Sequence, residues 1–154
     1  MHFAAAADFD YTTLAIVIGC FLVVFPALWF GITWLISRGW RKFSAGLECP
    51  TTPEGISVNV TNVHFGGFAS YNNVTTGTVT PEGIHLCVSW FFKTYNPAMF
   101  VPWDLIECAQ MRSFFIVTLR ELTAVSHGVK CRIRLTGAAW QKVRHLVPPQ
   151  FQMD

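Results

Sequence analysis

A single membrane-spanning helix followed by one small, mostly-β domain is the architecture this sequence predicts, and three observations predict it. Leu14 to Ile36 (LAIVIGCFLVVFPALWFGITWLI) run for 23 positions without a charge. From Ile56 onward, short runs of alternating apolar residues are separated by Pro, Gly, Asn and Ser clusters, the pattern of strands joined by turns. One stretch with helical spacing begins at Gly137 and stops at Pro148-Pro149.

As a helix rising 1.5 Å per residue, the uncharged run covers about 34 Å, enough for a hydrocarbon core of about 30 Å. A core helix of a soluble domain usually keeps a polar face, whereas here only Thr33 and Cys20, beside the indole nitrogens, bring polar atoms. Pro26 removes one backbone hydrogen bond near mid-membrane, and a mild kink is expected there. Gly19, Ala27 and Gly31 are candidate helix-packing positions, small enough for another helix to approach. Phe21, Phe25 and Trp29 make an aromatic stripe that suits lipid tails or a partner. The run holds no histidine and so offers no imidazole to haem or chlorophyll.

The flanks set the orientation. All eleven Lys and Arg follow the run, whereas the tail before it carries only Asp8 and Asp10. The positive-inside rule places the N-terminus outside and the C-terminal domain in the cytoplasm, with the helix in the cell's inner (plasma) membrane. The acidic tail, the long run and bulky Trp29, Phe30 and Trp34 favour an uncleaved anchor over a cleaved signal peptide. Trp34 and Trp40, with Arg38, Arg41 and Lys42, read as anchors at the inner interface, in contact with membrane lipids. The expected division is an extracytoplasmic tail over 1–12, a transmembrane helix over 13–37 and a juxtamembrane linker over 38–55. A cytoplasmic β domain with its C-terminal helix follows over 56–147, then a tail over 148–154. Asp10 or Thr12 is expected to cap the helix.

In the β part, Thr52-Pro53-Glu54-Gly55-Ile56 recurs as Thr80-Pro81-Glu82-Gly83-Ile84. Pro pre-sets the first turn position and Gly accepts a positive φ, so both copies read as turns that launch strands. Expected strands are 56–65, with Gly66-Gly67 permitting a bend or bulge, then 74–79, 84–92, a short edge piece at Met99 to Pro102, 105–111, 114–121 and 129–136. The break between the fifth and sixth falls near Arg112-Ser113. In the last strand Val129, Cys131, Ile133 and Leu135 face one way and Lys130, Arg132 and Arg134 the other, which is a basic, solvated face. Six or seven strands and a helix, in about 100 residues, suit a small antiparallel barrel closed by that helix.

Gly83-Ile84-His85-Leu86, leading through a strand to Phe100-Val101-Pro102-Trp103-Asp104-Leu105-Ile106, resembles the motif of bacterial membrane-anchored pleckstrin-homology-like (PH-like) domains. The resemblance covers about residues 55–147. It implies a PH-like antiparallel barrel or sandwich capped by a C-terminal helix. In pleckstrin-homology domains that bind inositol phosphates, a basic loop between the first two strands does so. Here Gly66 to Asn73 (GGFASYNN) holds no Lys or Arg, which departs from that pattern.

The chain carries no P-loop, GxSxG, GxGxxG or HExxH motif, and its histidines are dispersed. Its five cysteines lack CxxC spacing and suit free thiols in a reducing compartment. No catalytic, cofactor-binding or metal-binding residue, no cofactor and no small-molecule substrate is therefore expected, and the protein is not read as an enzyme. After the run the basic excess is only about four charges, part of it at the membrane interface, so nucleic acid is not an expected partner. Trp90, Phe91, Phe92, Tyr95, Phe100 and Trp103 crowd into 14 residues. Phe91, Tyr95, Phe100 and Trp103 form the candidate partner patch. The expected function is a non-catalytic, single-pass accessory or structural subunit that stabilises a larger membrane complex, of respiratory or photosynthetic type on general frequency, with other membrane subunits as partners. The alternative is a free-standing membrane-tethered PH-like module that binds lipid headgroups, a protein or a peptide.

Overall fold

The computed structural model describes residues 10–67, 69–114 and 117–152. Most of the expected N-terminal tail, including Phe3 and Phe9, and the last two residues lie outside them. The chain forms two units that divide between Leu35 and Ile36.

The first unit is one helix, α1 (Tyr11–Ile36), continuous through Pro26. Asp10 caps it, accepting from Thr12 N at 2.9 Å and Thr13 Oγ1 at 2.6 Å. These bonds hold the Asp10 carboxyl below its ordinary pKa. From Tyr11 to Ile32 every side chain is exposed. Thr33, which is buried, satisfies its hydroxyl within the helix, donating to Trp29 O at 2.8 Å.

The second unit opens with α2 (Arg38–Ser44). Seven strands follow among the described residues: β1 (Ile56–Phe65), β2 (Ser70–Val79), β3 (Gly83–Val88), β4 (Met99–Pro102), β5 (Ile106–Phe114), β6 (Val117–Ser126) and β7 (Val129–Thr136). A C-terminal helix, α3 (Gly137–Val143), begins at Thr136, whose hydroxyl accepts from Ala139 N at 3.1 Å. The strands form one antiparallel sheet in the order β4-β3-β2-β1-β7-β6-β5. β4 and β5 stand at opposite ends of that order, yet only Trp103–Leu105 separate them. That connection reaches about 15 Å at most, whereas seven strands laid flat span about 29 Å. The sheet must therefore curl until its two edges approach.

The corner of the curl is a bulge. β1 pairs Val60 with Thr75 and then Asn62 with Asn72, and Asn73 takes a positive φ of 54° to absorb the offset. The bulge reverses the alternation. Val58 and Val60 face the core before it, and Val63 and Phe65 after it. Gly66-Gly67 form the bend expected after β1, at the start of the β1–β2 connection.

α2 closes the end of the barrel where β1 finishes. Trp40 and Phe43 are wholly buried there, with ring contacts to Phe65 at 5.3 and 5.5 Å. A side chain on Gly39 would strike Phe65 Cβ at 2.8 Å, so glycine allows this close approach. α3 covers the other end, with Trp140 and Val143 buried and Arg120 stacked over Trp140 at 5.6 Å.

Several expectations need correction. Residues 38–55 are not a spacer, because α2 is built into the core and Glu48 pairs with Met99 along the free edge of β4. Such pairing covers an edge that would otherwise be open. The run 84–92 stops being a strand at Val88, and Trp90–Tyr95 form a 310 helix. Arg112 and Ser113 pair with Leu119 and Thr118 rather than breaking a hairpin. Pro149–Phe151 continue the fold beyond α3, and Phe151 is buried against Trp103. Gly55 and Gly83 do not take positive φ. A Cβ there would lie 2.5 Å from Val79 O and 2.4 Å from Val101 O, so crowding by backbone demands glycine at both.

Candidate functional site

The residues expected at the membrane interface separate into two groups. Trp34 is exposed on α1, and Arg38 and Lys42 are exposed on α2. Trp40 is 0% exposed, and its Nε1 donates to Pro97 O at 2.8 Å. It is a core residue and cannot also sit among headgroups. Arg41 is half-buried. Helical spacing accounts for the split: in a helix packed on a barrel, positions 40, 43 and 44 point inward while 38 and 42 point away. On α1, a Cβ added at Gly19 or Gly31 would meet nothing within 4 Å.

The expected partner patch is split as well. Trp103 is 5% exposed, with Nε1 donating to Thr80 O at 3.2 Å and its backbone N–H donating to Glu82 O at 3.2 Å. It locks the Thr80–Gly83 turn and does not face outward. Thr80 closes the same turn, its Oγ1 accepting from Glu82 N and Gly83 N at 3.2 Å each. Gly83 is paired with Pro102, so this glycine and the Pro102-Trp103 pair meet at one corner. Tyr95 and Phe100 are half-buried.

What the crowd of aromatics leaves outside is Trp90 and Phe91, 74% and 58% exposed. Their rings stack at 3.7 Å on the first turn of the 310 helix. Trp90 belongs to the same aromatic cluster in the sequence, and strand alternation does not distinguish it because it cannot foresee a 310 turn. That turn is held to α2 from below. Tyr71 meets Trp40 edge-on at 5.1 Å and donates to Asn96 Oδ1 at 2.7 Å. Asn96 Nδ2 in turn donates to Phe92 O at 2.6 Å. Burial raises the Tyr71 hydroxyl above its ordinary pKa, against its hydrogen bonds with Ser37 and Asn96 and the charge of Arg41.

Elsewhere the polar groups serve the fold. Glu121, buried on β6, accepts from Arg134 Nε at 2.6 Å across the β6–β7 pair, so the basic face of β7 is partly neutralised. His64, His85 and His127 each bond a backbone carbonyl, of Ala69, Cys49 and Ala45 respectively. Cys131 lies in the core, where burial pushes its thiol pKa up, whereas Cys87 borders an open cleft of about 440 Å³ together with His85 and Glu54. A second open cleft of about 530 Å³ lies between the start of β1 and α3, lined by Asn59, Thr61, Asn73 and Lys142. Among the described residues no three His, Cys, Asp or Glu side chains converge as a metal site. Comparison with family models, curated proteins and solved structures finds no match to this chain.

Proposed function

We propose that the protein is a non-catalytic, single-pass membrane subunit. α1 crosses the inner membrane with its N-terminus outside, and the β unit is a PH-like docking element on the cytoplasmic side for other subunits of a membrane assembly. The observation that carries this reading is α1 itself, a 26-residue helix without an acidic or basic residue, whose apolar side chains are exposed on all sides through Ile32. Exposed in water, such a surface far exceeds what a soluble monomer leaves uncovered, and a bilayer covers it. The open faces at Gly19 and Gly31 suit contact with a second helix. The PH-like reading is supported by the curled antiparallel sheet, by α3 over one end, and by the pairing of Gly83 with Pro102.

The second reading, a free-standing module that binds lipid headgroups or a peptide, is favoured by the exposed Trp90–Phe91 pair. Purification of the full chain in mild detergent, followed by mass spectrometry, separates the two. The subunit reading expects a stoichiometric assembly with other membrane proteins. A lone monomer sinks it and leaves the free-standing module.

A further inference from the structure

We infer that Trp90 and Phe91 are a second membrane contact, seated in the headgroup layer of the cytoplasmic leaflet. The inference rests on α1 crossing the bilayer and goes beyond it by assigning a surface and its occupant, the lipid interface.

Position comes first. Ser37 directly follows the last residue of α1, and its side chain hydrogen-bonds Tyr71. Tyr71 holds Asn96, and Asn96 holds Phe92. Trp40, three residues after Ser37, holds Pro97. The residue that must stand at the membrane surface is thus tied, through buried side chains, to the turn that carries the aromatic pair.

The chemistry points to lipid. Trp places an apolar ring and one N–H donor at the boundary where hydrocarbon meets water, which is why aromatic belts form there. Two stacked rings, both exposed, would be costly in water and are suited to that boundary. Arg38–Ser44, which follows α1 in the chain, and Trp90–Tyr95 carry Arg38, Arg41, Lys42 and Lys93 and no acidic residue. Lys93 and Lys42 are exposed, which complements the anionic lipid of a cytoplasmic leaflet.

The test uses the full chain reconstituted into vesicles of phosphatidylethanolamine and phosphatidylglycerol doped with lipids that carry a photoreactive diazirine near the headgroup. Adducts are mapped to peptides by mass spectrometry. The expected result is lipid adducts on α1 and on the peptide bearing Trp90 and Phe91. In a W90A/F91S variant, the adducts on that peptide fall to the background of the Lys142 peptide, with melting of the β unit unchanged because both side chains are exposed. Adducts on α1 with none on the Trp90–Phe91 peptide overturn the inference and leave the span intact, as expected if a protein partner covers the pair. Adducts that persist undiminished in the variant also overturn it. Absence of adducts from α1 overturns the span, and the inference with it.

Discussion

Replacing Trp40 with alanine is expected to destabilise the β unit by about 3–5 kcal/mol, the range for truncating a fully buried aromatic. The indole is 0% exposed and lies edge-on to Phe65 and Tyr71. Its removal opens a void at the barrel end and leaves the Pro97 carbonyl without its donor at 2.8 Å. Trp40→Phe keeps most of the volume and loses only the hydrogen bond, so its cost should be about 1–2 kcal/mol. Denaturant melting of the full chain in detergent, followed by near-ultraviolet circular dichroism, reads both. A lipid anchor at this position would behave differently: truncation would weaken membrane attachment and leave melting unchanged.

Gly83→Ala is expected to be nearly as severe. The added Cβ falls 2.4 Å from Val101 O and 2.9 Å from Pro102 Cα. Both are backbone atoms of the paired strand and cannot swing aside. Relief requires β3 and β4 to separate, which also disturbs the Thr80 turn and the Trp103 bonds that rest on it. Overpacking of this kind costs about 1–3 kcal/mol, and more where backbone must move. Gly66→Ala is the matched control. Its Cβ would meet nothing closer than 3.9 Å and its φ is not positive, so melting should change by less than about 0.5 kcal/mol. Equal effects at the two positions would refute the crowding argument.

Much of this fold was legible in the chain because its strands obey simple alternation. Cys131, Ile133 and Leu135 fill the core from β7 as their spacing requires, Val129 packs against it half-buried, and the Thr80-Pro81-Glu82-Gly83 turn launches β3. The failures share one physical origin, contacts between residues far apart in sequence. Trp40 sits beside basic residues after an apolar helix and reads locally as an interface anchor. Its burial depends on Phe65, Tyr71 and Pro97, which only the folded barrel brings to it. The aromatic run at Trp90 to Phe92 has strand propensity, but Ser89 ends the β3 ladder and the chain turns. The bulge near Thr61 has no glycine to announce it; the local signal is Asn73, a residue type that tolerates positive φ. At the candidate site, crowding of aromatics pointed to the right segment, while burial alone decided that Trp90 and Phe91 face outward and Trp103 does not.

The arrangement of lysines offers the most direct test of the membrane-spanning account. Lys42, Lys93, Lys130 and Lys142 all follow α1 and are all exposed, so a membrane-impermeant amine reagent reports which side the β unit occupies. With membranes washed in alkaline carbonate to remove peripheral proteins, the account expects the full chain to stay in the pellet. All four lysines should be labelled in inside-out inner-membrane vesicles and none in intact cells. Release of the chain by carbonate, or labelling of these lysines from outside intact cells, would contradict it.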